Sequence, residues 1–114
     1  MSWIMVAGPY RSGARDAEGA EHNLRALNSA ALDVLAKGHL PVIGVNMAIP
    51  MIEAAGADRY DEIMMPVSLE LANRCDAILR IGGPSEGADA EVARMQAAGK
   101  LVYHGTEDIP EASR

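Results

Sequence analysis

The sequence predicts one α/β domain: three layers, with helices on both faces of a mainly parallel sheet of four to five strands. Three observations carry this. Short apolar runs alternate with longer helical patterns along the whole chain. Glycine or Gly-Pro closes nearly every run. The length of 114 residues sets one domain over residues 1–114, large enough for one core without staples.

Trp3 to Ala7 is an apolar run closed by Gly8-Pro9, the signature of a fully buried first strand. The run is too short for a membrane span and no positive segment precedes it, so neither a signal peptide nor a membrane partner is expected. Asp16 to Lys37 reads as a long helix. Its apolar stripe is Leu24, Leu27, Ala31, Leu32 and Leu35, and Gly38 stops it. Leu40 to Val45, interrupted by Pro41, reads as a short second strand. Asn46 to Gly56 reads as a loop with a helical turn. Asp61 to Arg74 is a helix in which Pro66 marks a kink or a second start. Ala77 to Ile81 is a buried strand ended by Gly82-Gly83-Pro84. A helix from Glu86 or Gly87 to Ala98 stops at Gly99, Leu101 to Tyr103 is a last strand, and Ile109 to Arg114 is a short polar tail.

The alternation implies right-handed crossovers in a small Rossmann/flavodoxin-like arrangement. Ligands of such sheets sit beyond the carboxyl ends of the strands. Two polar loops belong there: Gly8 to Gly13 after the first strand, and Gly82 to Gly87 after the third.

Composition narrows the chemistry. The net charge of −6 argues against a nucleic-acid polymer, whose phosphates need clustered Lys and Arg, but not against a small phosphorylated ligand. The single cysteine, Cys75, excludes an internal disulfide and a Cys-rich zinc site, and fits a reducing, cytoplasmic setting. Cys75 is expected to be buried and inert. His22, His39 and His104 show no metal spacing and are read as structural, so no metal or redox cofactor is implied. Met47, Met51, Met64 and Met65 suit core filling, an apolar pocket or a subunit interface.

In the second loop, Gly87 permits close backbone approach, Ser85 adds a hydroxyl, and the helix start offers free N–H groups to an anion. Glu91 lies four residues past Gly87, one turn farther on, where a carboxylate can face the crevice. The competing reading makes Ser85 a helix cap and Glu86, Asp89 and Glu91 acids that complement the helix dipole. In the first loop, Arg11 suits phosphate or carboxylate, Tyr10 can donate a hydrogen bond or stack, and Gly8 and Ser12 flank them. An ordinary surface turn is the alternative.

Val6-Ala7-Gly8-Pro9-Tyr10-Arg11, then Cys75-Asp76-Ala77-Ile78-Leu79, then Ser85-x-Gly87-x-x-x-Glu91, then Ala97-Ala98-Gly99-Lys100-Leu101-Val102, in this order and spacing, resemble the nucleoside 2-deoxyribosyltransferase-like superfamily. Its short members and its 2′-deoxynucleoside 5′-phosphate N-hydrolases are similar in the same places. The resemblance implies an N-glycosidase-type hydrolase or transferase acting on a nucleoside 5′-monophosphate or a related nucleotide. Glu91 would be the nucleophile. Gly8, Tyr10, Arg11, Ser12, Ser85 and Gly87 would bind the substrate. A homo-oligomer, dimer or tetramer, is also implied, with Met47 to Ala57 a candidate interface.

One position departs from the family's pattern. The second acid expected about two turns before Asp76 is Ser68 here. Glu70, two residues on, is rotated by about 200° to the opposite helix face. Asp76 is then the possible assisting acid. The missing acid leaves a non-catalytic nucleotide- or phosphosugar-binding module as the alternative function.

Overall fold

The computed structural model describes residues 1–112. Its elements follow in chain order: β1 (Trp3–Ala7), α1 (Ala17–Ala36), β2 (Leu40–Val42), α2 (Gly44–Ala55), a 3-10 turn (Ala57–Arg59), α3 (Tyr60–Arg74), β3 (Ala77–Arg80), α4 (Glu86–Ala97), β4 (Leu101–Tyr103) and a second 3-10 turn (Thr106–Asp108). The four strands form one sheet in the order β2-β1-β3-β4, and every pairing is parallel. This is the expected Rossmann/flavodoxin-like architecture.

Alternate residues of the central strands feed two cores. Ile4 and Val6 of β1, with Ala77 and Leu79 of β3, pack under Leu27, Ala31 and Val34 of α1. Met5, Ala7 and Ile78 face the opposite way, toward Ala72 of α3 and Ala88 and Met95 of α4. A strand covered on both faces must be apolar at every position, which is why β1 reads as a continuous run. The α1 stripe is narrower than the sequence suggests. Leu32 and Leu35 are 66% and 52% exposed. Leu32 lies about 140° around the helix from buried Leu27, so the core stripe passes through Val34 instead.

Two segments depart from expectation. Val45, Ala48, Ile49 and Ile52, expected in or beside a loop, belong to α2 and pack against Met64, Tyr60 and Ile63 of α3. Their 3-4 spacing overrides Pro50, which lies inside the helix. The second strand is correspondingly shorter, because Ile43 already serves as the extended residue before α2. Pro66 likewise lies within a continuous α3, on its exposed side.

The segment expected as a polar tail is docked over residues 109–112. Ile109 is buried in the α1-side core. Lys37 Nζ donates to the carbonyls of Thr106 and Ile109, and Ala112 N donates to Lys37 O at 2.8 Å. The remainder of the expected tail, residues 113–114, lies outside the described residues. His39 closes the same corner. Its Nδ1 accepts from Ser2 N at 3.0 Å, which leaves Nε2–H to donate to Pro110 O at 2.6 Å. His39 is thus structural, as expected. Among the described residues no helix is long and apolar enough to cross a membrane.

The strand order places a switch point between β1 and β3. From β1 the chain leaves through α1 toward β2; from β3 it leaves through α4 toward β4. The two departing loops therefore open a crevice at the carboxyl edge. They approach closely because they carry glycine. A Cβ on Gly8 would lie 2.8 Å from Ile81 O, and one on Gly82, at φ 76, would lie 2.7 Å from Pro9 Cδ.

Candidate functional site

A cavity of about 400 Å³ occupies this crevice. The first loop contributes Gly8, Tyr10, Arg11 and Ser12. The start of α4 contributes Ser85, Gly87 and Glu91. The seven residues singled out from the two loops thus line one cavity. The size is that of a small-molecule pocket.

Each wall is held by identifiable contacts. Asn23 of α1 donates from Nδ2 to Tyr10 O at 2.7 Å and to Ser12 O at 3.4 Å, fixing the first loop. The Arg11 guanidinium lies over the Tyr60 ring, 3.7 Å from its centroid. A guanidinium held against a ring face in this way keeps N–H donors for an anion. On the other wall, Ser85 Oγ accepts from Ala88 N at 3.2 Å and caps α4. Capping uses the hydroxyl as acceptor, so its proton remains available to a ligand. The two readings of Ser85 are compatible. Arg80, at the end of β3, donates from Nη2 to Gly83 O at 2.8 Å and pairs with Asp89 at 3.2 Å. That bridge ties the β3–α4 loop to the helix it precedes, and accounts for Asp89 as a structural acid.

Glu91 is 9% exposed and forms no ion pair among the described residues. Burial pushes its carboxyl up to about 7; the positive charge of Arg80 offsets part of this. A carboxyl poised there switches between protonated and ionised forms near neutrality.

Ser68 lines the same cavity, as its place in α3 requires. It is buried, and its hydroxyl faces Met64 Sδ at 3.9 Å. It also packs on Gly44: a Cβ there would lie 2.9 Å from Ser68 Cβ. This close α2–α3 crossing suits a small side chain at position 68. Glu70 is exposed and pairs with Arg74 at 3.7 Å, away from the cavity.

Asp76 does not join the site. Its Oδ2 accepts from Trp3 N at 2.8 Å, at the start of β1. Strand β3 spans about 13 Å and separates that edge from the crevice, so the assisting role expected for Asp76 has no geometric support. The acid that α3 brings to the cavity is Asp61. It precedes Ser68 by seven residues, two turns on the same helix face. Tyr60, Asp61, Met64, Met65 and Ser68 form one stripe on α3, of which the sequence singles out the two methionines and position 68 but not Tyr60 or Asp61. Their i, i+1, i+4, i+5, i+8 spacing was the available signal. Val45 of α2 also lines the cavity, hidden by its assignment to a strand.

The methionines divide. Met64 and Met65 line the cavity, whereas Met47 and Met51 are 53% and 42% exposed. Cys75 is buried at the C-terminal end of α3, its thiol pushed up to about 11 by burial, and does not line the cavity. No family model matches this chain, and no curated protein matches it significantly.

Proposed function

We propose that the protein cleaves the N-glycosidic bond of a nucleoside 5′-monophosphate or related nucleotide, with Glu91 as nucleophile. The observation that carries this reading is the buried Glu91 carboxyl, without an ion pair among the described residues, in a cavity that also holds Ser85, Gly87, Arg11 and Ser12. The phosphate is held by the α4 start, the Ser85 hydroxyl and the Arg11 and Ser12 side of the first loop. Tyr10, Met64 and Met65 offer flat or apolar surface to sugar and base. An ionised Glu91 oxygen attacks the anomeric carbon as the carbon–nitrogen bond breaks. The electron pair leaves with the base, which takes a proton from solvent water. Water then hydrolyses the glycosyl ester, returning the carboxylate and releasing the phosphorylated sugar. The reading includes a cytoplasmic setting and self-association through exposed apolar side chains such as Met47 and Met51.

The test is chromatographic. A panel of nucleoside 5′-monophosphates is incubated with the protein, and free base is measured for wild type and Glu91→Gln. Base release by wild type alone supports the reading; equal release by both overturns it. Ser68 favours a second reading, a nucleotide- or phosphosugar-binding module, because α3 places no carboxyl at that depth of the cavity. Thermal stabilisation by a nucleotide or phosphosugar without base release would select it.

A further inference from the structure

We propose that the cleft takes a nucleotide with a second anionic group, of the pyrophosphate-linked class, held between Arg11 and Arg15. This rests on the nucleotide reading of the first cavity. A second cavity of about 440 Å³ adjoins it, and Tyr10 and Arg11 line both. Arg15 and Asp16 line the second alone. The loop turns back on itself between the two arginines: Ala14 N donates to Arg11 O at 3.0 Å, and Gly13 takes φ 75. Arg11 and Arg15 thereby border one groove.

Their charges are uncommitted in a chain with six more acidic than basic groups. Arg59, Arg74 and Arg80 pair with carboxylates. Lys37 and Lys100 donate to backbone carbonyls, and Arg94 to Asn73, while Arg25 of α1 lines neither cavity. Among the described residues, neither Arg11 nor Arg15 forms an ion pair. The nearby carboxylate, Asp16, already accepts from Gly19 N at 2.9 Å as the cap of α1. Arg11 is stacked on Tyr60 and lines both cavities, so its guanidinium stands where they meet. A phosphoryl group in the first cavity and a second one bonded to it would span that boundary, with Arg15 reaching the outer one. Two guanidiniums bordering a groove of a net-negative protein attract anions to it.

The experiment measures dissociation constants by calorimetry for matched nucleoside 5′-mono- and 5′-diphosphates of the four common bases, using wild type, Arg15→Gln and Arg15→Lys. Arg15 lies on an exposed turn, and a thermal melt checks that each variant folds. The expected result is a diphosphate bound about tenfold more tightly than its monophosphate by wild type. That ratio should fall to about twofold in Arg15→Gln and recover in part in Arg15→Lys. Equal binding of the two nucleotides by wild type, or a ratio unchanged in Arg15→Gln, overturns the second anionic site while monophosphate binding leaves the first cavity's reading intact. Binding of no nucleotide overturns both.

Discussion

The two walls of the cavity are built differently. The α4 wall is buried at Ser85, Ala88 and Glu91, capped by Ser85 and braced by Arg80. The first-loop wall is exposed at Arg11 and Ser12, held by Asn23 and by the stacking of Arg11 on Tyr60. Chemistry that needs a carboxyl fixed within a fraction of an ångström belongs on the first kind of wall. Recognition of a ligand's charged periphery tolerates the second. On the proposed reading Glu91 reacts and Arg11 binds, and substitutions on the two walls should separate accordingly.

The largest effect is expected at Glu91. Glu91→Gln should lower base release by at least about a thousandfold, as removal of a nucleophile does. In wild type, kcat/KM should climb with pH through about 7, because the attacking form is the ionised one. A profile flat from pH 5.5 to 8.5 would remove Glu91 from the attacking role.

The same variant should be more stable than wild type at pH 8. The folded carboxyl titrates at about 7 against 4.5 for the ordinary group, so the folded state binds the proton more tightly. Stability from this group is present below pH 4.5 and is lost as pH rises through 7. The loss amounts to at most about 3 kcal/mol, which Glu91→Gln escapes. Denaturant titrations of both proteins at pH 4.5 and pH 8 should show a gap at the higher pH and little at the lower.

Behind the cavity, Gly44→Ala should destabilise the protein by about 1–3 kcal/mol, since its Cβ would press on Ser68 where α2 crosses α3. Ser85→Ala should cost about 1 kcal/mol through loss of the α4 cap and should also raise KM, if the hydroxyl proton serves the ligand. The smallest effect on folding belongs to the exposed wall. Tyr60→Leu removes the stacking partner of Arg11 at a cost of about 0.5–1 kcal/mol and should raise KM with kcat nearly unchanged. A fall in kcat as large as that in kcat/KM would erase the distinction between the walls.

Much of this was legible in the sequence because it depends on local signals. The apolar run of β1, the Gly82-Gly83-Pro84 stop and the Ser85-to-Glu91 spacing each report a structure built within one segment. What escaped depends on packing between segments. Asn46 to Gly56 reads as a loop with a helical turn until its apolar residues find α3. Leu32 and Leu35 look like core until Val34 takes the contact. Ile109 looks like the start of a tail until Lys37 and His39 hold the chain above α1. Asp76 sits close to the site in sequence, but a parallel strand carries it to the opposite edge of the sheet. Asp61 and Tyr60 needed the α3 stripe to be read as pocket lining rather than as an ordinary helix start.

The His39 ring joins distant parts of the chain. One nitrogen accepts from residue 2 and the other donates to residue 110, which brings those positions within about 10 Å of each other. A linker of a few residues would therefore suffice to join them, and new ends could be opened at the exposed turn around Gly99, outside both cavity loops. Such a circular permutant would keep the strand order and the crevice while reordering the segments that build them.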